Sequence, residues 1–307
     1  MPERPWLVLG GSGLIGWNCV RALERRGTPW VGTSLSGRDG FVQADIANAA
    51  GCAELVREVD PAVVVVCAAA TWADRCELEP EWATSLNVTA LERLLPALRP
   101  ETVLVSISSD CVFDGAAGPY VENDPVAPIN HYGRTKVAGE RVVAGHSEHL
   151  VIRTTVVYGA ELRAPGKNSM CQLRDALEAG RMFPAPVDEI ATPTYGGDLG
   201  AAIVDLVLAG GRGVMHSCGP DLVSRYEYAR LAASALDLDP DLVVPAMSDE
   251  MGRPARRPKR SGLISTTAER AMGRSFLGLS EGLAAAVRDW DETRRGPRIP
   301  TTELRRA

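Results

Sequence analysis

Residues 5–27, PWLVLGGSGLIGWNCVRALERRG, run from a short apolar stretch through a glycine-rich joint into an amphipathic one. PWLVLG (5–10) reads as a buried strand. Leu14, Val20 and Leu23 then recur at helical spacing up to a stop at Gly27. Gly10, Gly13 and Gly16 lie at the joint, where the chain must turn sharply and a helix must start close against a strand. In that setting the backbone can approach a pyrophosphate, and the amide groups of the helix start face the anion. A unit of this kind belongs in a parallel sheet with helices on its faces.

The rest of the first half repeats the rhythm. PWVGTS (29–34), AVVVVCAA (62–69), TVLVSIS (102–108) and LVIRTTVVYG (150–159) are predicted strands. AELVREVD (53–60), PEWATSLNVTALERLLPAL (80–98) and a segment over 131–145 are predicted helices. The strands are continuously apolar rather than alternating, so both of their faces are covered. Strand-helix alternation of this kind predicts an α/β fold with a doubly wound parallel sheet, the Rossmann arrangement. Past residue 159 the rhythm breaks. GAELRAPGKNS (159–169) reads as a loop, helices are predicted near 170–180, 197–209, 225–236 and 280–294, and RPARRPKRSG (253–262) is a basic loop. The expected organisation is a dinucleotide-binding domain over 1–158, rejoined by about 195–217. Residues 159–194 and 218–307 would form a smaller substrate-binding lobe across the strand ends, where open α/β sheets bind ligands.

Several function classes drop out. A formal charge of −6 gives no electrostatic case for nucleic acid or an anionic membrane as partner. The longest strongly apolar run, AVVVVCAAA (62–70), is far too short to span a bilayer, and the first residues lack the basic region and apolar core of a leader. Seven cysteines without a C-x-x-C give neither a disulfide framework nor a zinc site, so no metal and a cytoplasmic location are expected.

The stretch after the second strand, GTSLSGRDG (32–40), bears on cofactor choice. An acid there would hold a ribose 2′-hydroxyl, and a nearby Arg would accommodate a 2′-phosphate. Thr33, Ser34 and Ser36 occupy the stretch with Arg38 close by and no acid before Asp39, so NADPH is expected, with NADH the alternative. Farther on, Ser109 ends the strand that runs into SISSDCVFDG (106–115), and Tyr132 and Lys136 are four apart on the next helix, on one face. Ketone reduction needs a hydride on carbon and a proton on oxygen. A free Tyr, with a pKa of about 10, yields its proton reluctantly at neutral pH. A Lys ammonium beside it would lower that value, and Ser109 could steady the carbonyl oxygen as charge develops.

The G-x-x-G-x-x-G spacing and this trio resemble the short-chain dehydrogenase/reductase family. Longer stretches resemble its extended branch, in particular the dTDP-4-dehydrorhamnose reductase group. SSDCVFDGAAGPYVENDPVAPINHYGRTKVAGE (108–140) is similar to the group's STDYVFDG…PYxExDxxxPxNxYGxSKxxGE pattern. TWADRCELEPEWATSLNV (71–88), DEIATPTY (188–195), GVMHSCGPDLVSRYEYA (213–229) and RPARRPKRSGL (253–263) resemble further parts of it. The resemblance implies NAD(P)H-dependent reduction of a keto group, at C4, of a nucleotide-diphosphate 4-keto-deoxy sugar, with Tyr132 as proton donor. It adds Asn87 to the catalytic set, holding a water beside Lys136.

On the cofactor side the resemblance implies Gly10, Gly13, Leu14, Ile15, Gly16, Ser34, Arg38, Ala68 and Ala69, together with Tyr132 and Lys136. Asp45 and Ile46 of QADI (43–46) would meet the adenine amine and ring. Thr71, Cys111 and Val156 would face the sugar, and Arg256 and Arg257 would reach it or the phosphates, for which Arg is suited by its planar fork. A homodimer is a family-level expectation. Cys111 and Val156 stand where the group's pattern has Tyr and Trp, so a roomier sugar pocket is expected. Two other readings keep the nucleotide site: an NAD-retaining epimerase or dehydratase, and a non-catalytic regulatory subunit.

Overall fold

The computed structural model describes residues 4–37, 40–161 and 168–294. The chain begins with β1 (Trp6–Leu9), α1 (Leu14–Arg25), β2 (Trp30–Ser34), β3 (Val42–Gln43), α2 (Ala49–Val59) and β4 (Val63–Val66). Short helices α3 (Ala73–Leu78), α4 (Pro80–Thr84) and α5 (Ala90–Leu94) follow, then β5 (Val103–Ser109), α6 (His131–Val143), β6 (His149–Thr154) and β7 (Val157–Tyr158). Next come α7 (Ser169–Glu178), β8 (Phe183–Pro186), β9 (Ile190–Ala191), β10 (Thr194–Tyr195), α8 (Gly196–Leu208) and β11 (Gly213–His216). The last elements are β12 (Val223–Ser224), α9 (Arg225–Ala235), β13 (Val243–Ala246), α10 (Thr266–Met272) and α11 (Leu279–Arg294).

Seven strands, all paired in parallel, form the central sheet in the order β11-β6-β5-β4-β1-β2-β3. Their continuous hydrophobicity has a plain cause. Trp6, Val8, Val63, Val65, Val105 and Ile152 join one core layer with Trp17 and Val20 of α1 and Leu199 and Ile203 of α8. The alternate residues Leu7, Leu9, Val64, Val66, Leu104 and Val151 join the opposite layer with Leu55 of α2, Leu91 and Leu94 of α5, and Val143 of α6. Successive strand residues point to opposite faces, so two apolar layers require unbroken apolar strands. Each such Val or Leu contributes about 1.5–3 kcal/mol by leaving water. Strand order reverses between β4 and β1, and ligands bind beyond the carboxyl ends of the strands at such a point.

Two sequence expectations need correction. The helix expected over 80–98 is helical throughout Pro80–Ala97, but its middle, Ser85–Thr89, is a π-turn. The strand expected over 150–159 ends at Thr154. Val156 takes φ 44°, a left-handed conformation costly for a β-branched residue, and β7 then leaves the sheet to pair with β10. That bend turns the chain out of the sheet. Helices α3 and α10, of six and seven residues, were too short to give a periodic signal.

Across the strand ends, β8 pairs with β13 and β9 with β12. Met170 and Leu173 of α7, Tyr228 and Ala229 of α9, and Leu283 and Ala286 of α11 form a separate core there. Segment 195–217 returns to the sheet, with α8 packed on α1 and β11 paired with β6. Among the described residues, no helix is long and apolar enough to cross a membrane.

Candidate active site

The glycine loop has the form a diphosphate needs. Gly10 has φ 83°, and a Cβ on Gly16 would stand 2.2 Å from the Gly10 carbonyl oxygen, so neither position tolerates a side chain without movement. Helix α1 starts at Gly13 with no side-chain cap and no acidic residue in its first turn, which leaves its positive end to an anion. Leu14 and Ile15 are half-buried in that turn. Ala68 and Ala69 follow β4 at the crevice, with the Ala68 amide donating to Leu9 O across the β1–β4 switch point. These features fit a dinucleotide.

The expected adenine end follows β2 and β3. The Ser34 hydroxyl accepts from Gly37 N at 3.1 Å, bracing the turn after β2. Strand β3 is confined to Val42–Gln43, so Asp45 and Ile46 lie beyond it. Asp45 is exposed and accepts from Ala47 N at 2.9 Å, while Ile46 is buried in the core layer with Leu55 and Val56. Arg38 lies outside the described residues.

Ser109 is the last residue of β5, at its carboxyl end, and caps the turn Asp110–Val112. Its hydroxyl accepts from Cys111 N at 3.2 Å and donates to Asp110 Oδ1 at 2.9 Å. Helix α6 begins at His131, capped by Asn130, whose side-chain oxygen accepts from Gly133 N at 2.8 Å. A Cβ on Gly133 would lie 2.1 Å from the Cys111 carbonyl oxygen. The absence of a side chain there brings the helix against the strand end and sets Tyr132 beside Ser109 and Cys111, all three on one cleft.

Lys136, one turn on, is buried, donates to Ile107 O at 3.0 Å and stands 5.7 Å from the centre of the Tyr132 ring. Burial pulls its pKa down to about 8, against the pull of Cys76 and Glu140. The lowering of the Tyr132 pKa expected from Lys136 is not the net outcome: burial, followed by Cys111, pushes the phenol up, and Ser109 opposes the rise. The phenol is therefore neutral at pH 7 and carries the proton that a reduction consumes. Behind Lys136, Glu140 is bound by both nitrogen arms of Arg153, at 2.9 and 2.7 Å, and by the Ser108 hydroxyl at 2.5 Å.

Asn87 lies in the π-turn, buried. Its amide accepts from Ala70 N at 2.9 Å and donates to Ala70 O and Thr135 Oγ1 at 3.0 and 2.9 Å. The side chain clamps the chain after β4 to the Tyr132 helix.

A cleft of about 630 Å³ opens beyond Ser109 and Tyr132. Thr71, Cys111, Val156 and Arg257 line it. Arg256 does not; it faces a neighbouring groove and only its carbonyl is held, by Asn130 Nδ2 at 2.7 Å. Arg257 is gripped by both oxygens of Asp74 at 3.0 and 2.9 Å, which helps hold the Asp74 carboxyl below its ordinary value despite partial burial. Among the described residues, no group of His, Cys, Asp and Glu is placed to hold a metal ion.

Three residues of the cleft were missed in the sequence. Asp110 accepts from Ser109, from Thr155 at 2.7 Å and from Ser261 at 2.5 Å. Burial raises its pKa while those hydroxyls restrain the rise. Arg253, paired with Glu189, and Arg225, at the start of α9, complete the far wall. Asp110 follows Ser109 directly and had a signal in its position. The arginines had none, because nothing local shows which way they face.

Comparison with known proteins places this geometry. The profile of the RmlD substrate binding domain matches residues 4–291. A probable low-salt glycan biosynthesis reductase of Haloferax volcanii is 33% identical, over 91% of this chain and 95% of its own length. A dTDP-4-dehydrorhamnose reductase of Mycolicibacterium smegmatis is 32% identical, over 93% of this chain and 82% of its own. The crystal structure of a dTDP-4-dehydrorhamnose reductase of Bacillus anthracis in complex with NADP superposes with a TM-score of 0.84 at 26% identity, covering 94% of this chain and 99% of that one.

Proposed function

Because the chain belongs to the RmlD substrate binding domain family, we propose that it is an NADPH-dependent reductase that converts a keto group, at C4, of a dTDP-linked 4-keto-deoxy sugar into an alcohol. The observation that carries the reading is the meeting of Ser109 and Tyr132 at one end of the cleft with Lys136 directly behind them. The reduced nicotinamide supplies a hydride to the ketone carbon. Tyr132, neutral at pH 7, donates its proton to the ketone oxygen, so the carbonyl becomes a secondary alcohol and the phenol a phenolate. Lys136, its pKa held to about 8, remains largely an ammonium at neutral pH and stabilises that phenolate until it regains a proton. Ser109 orients the ketone oxygen by turning to it the one hydroxyl proton that it otherwise donates to Asp110.

Gly10, Gly13 and Gly16 with the start of α1 hold the cofactor diphosphate, and Thr71, Cys111 and Val156 face the sugar. Thiol and isopropyl groups there leave room beside the ring. The test is to incubate the purified protein with NADPH and a panel of dTDP-4-keto-deoxy sugars and to follow loss of the reduced-cofactor absorbance. Substrate-dependent oxidation with one reduced sugar formed per NADPH is expected. No oxidation with any member, or NAD that copurifies and is regenerated in each turnover, would overturn the reading.

A further inference from the structure

Among the described residues four arginines line the cleft, and three are already neutralised. Arg257 is held by Asp74, Arg253 by Glu189, and Arg75 by Glu79 one helical turn away at 3.0 Å. Arg225 differs. Among the described residues its guanidinium has neither a carboxylate within 4.0 Å nor a hydrogen-bond acceptor, and its contact is with the Tyr228 ring, whose centre lies 5.7 Å from Cζ. The backbone beneath it is fixed: Arg225 N donates to Glu189 O at 2.8 Å, and Ser224 and Glu227 cap the helix start reciprocally. A half-buried guanidinium without a counter-charge, on a fixed backbone, keeps its donors for an anion arriving in the cleft.

Its position selects the anion. Toward the reacting end, its charge reaches Asp110, the partner of Ser109, and helps hold that carboxyl down. Toward the other end it leads to Tyr228, whose hydroxyl is bonded by Ser169, and to the apolar strand Phe183–Pro186. Arg225 thus stands between the site of reduction and a wall suited to a flat apolar group. In a nucleotide sugar the charge lies in the middle, in the diphosphate between sugar and nucleoside. Building on the reductase reading, we infer that Arg225 is the anion anchor of the cleft and binds the substrate diphosphate, while Arg253 and Arg257 chiefly hold the wall in shape.

The experiment is calorimetric titration of the full chain with dTDP, for wild type, Arg225→Gln, Arg225→Lys and Arg257→Gln, with NADPH affinity and thermal unfolding as controls on folding. Loss of charge-assisted contacts to phosphate predicts dTDP affinity roughly 10–100-fold weaker in Arg225→Gln, partly restored in Arg225→Lys. Arg257→Gln is expected to lose less. An Arg225→Gln protein that folds, binds NADPH normally and retains dTDP affinity within twofold would overturn the assignment. So would a larger loss in Arg257→Gln, or a wild-type protein that does not bind dTDP. This readout needs no turnover, so it stands apart from the absorbance assay: a protein that binds dTDP through Arg225 yet reduces no keto sugar defeats the reductase reading alone.

Discussion

On the sheet side of the cleft, the reacting groups stand on a seven-residue strand and a thirteen-residue helix. On the lobe side, Glu189 precedes a two-residue strand, Arg225 opens a helix and Arg253 lies in an irregular segment. The first wall is fixed by local geometry. Strand pairing fixes Ser109, one helical turn joins Tyr132 to Lys136, and Gly133 lets the two elements touch. The second wall is fixed by ion pairs between distant parts of the chain, Asp74 with Arg257 and Glu189 with Arg253. In the proposed reductase, chemistry would rest on rigid backbone and substrate fit on side chains that can be exchanged without rebuilding the sheet.

The contrast can be broken first at Tyr132. Tyr132→Phe should lower kcat by about 10²–10⁴-fold, because it removes the proton donor of the proposed reduction, while NADPH affinity is unchanged. Steady-state turnover near that of wild type would show that another group supplies the proton. Next in size is Asn87→Ala. It strips the amide and carbonyl of the fully buried Ala70 of their partner, and should cost about 3 kcal/mol of unfolding free energy in a denaturant titration.

Lys136 sharpens the comparison through pH. Its pKa is about 8 in the folded chain against 10.5 when unperturbed. Below pH 8 the ammonium is charged in both states, and the folded chain bears the full cost of burying it. Between about pH 8 and 10.5 the folded chain releases that proton first, so stability from this group rises with pH. Lys136→Met should therefore raise unfolding free energy by about 2 kcal/mol at pH 7, with the gain shrinking toward pH 10.5, while abolishing turnover. Lys259, exposed on the lobe side with its pKa raised by Asp188 and Asp249, should show the opposite sign and a much smaller effect. A gain for Lys136→Met that is constant with pH would be evidence of better packing alone.

The smallest expected effect is at the Asp74–Arg257 pair. Both side chains are partly exposed, so a double-mutant cycle should give a coupling of about 1 kcal/mol or less, falling as salt is added. A coupling several times larger would mean that the lobe wall is as rigid as the sheet side.

These two walls were not equally legible in the sequence. Apolar runs without alternation gave the covered sheet, and a glycine triplet between strand and helix gave the phosphate loop. Tyr132 and Lys136 were readable because helical spacing alone puts them on one face. Reading failed where position depends on contacts far along the chain. Nothing near Val156 says that the strand must bend there. Nothing in RPARRPKRSG separates Arg257, which lines the cleft, from Arg256, which does not, since an irregular loop has no period. The clamp of the Asn87 side chain on Ala70 comes with a π-turn that no residue pattern announces. The Tyr132 pKa went the other way because burial, a property of the whole fold, outweighs one neighbouring charge.

Strand β11 is paired with β6 at the edge of the sheet, although the intervening chain makes α7, four short strands and α8. As the polypeptide emerges during synthesis, the glycine loop, Ser109, Tyr132 and Lys136 are all present while β6 still exposes a row of unpaired backbone groups. A nascent chain or a fragment ending near residue 160 would therefore be a template for intermolecular strand addition, not an autonomous nucleotide-binding module. Strand β6 is covered only once residues 213–216 are made, and the bond from Ser261 to Asp110 forms later still. Translation thus delivers the reactive groups long before the scaffold that protects them, and any pause between those points is a window for aggregation.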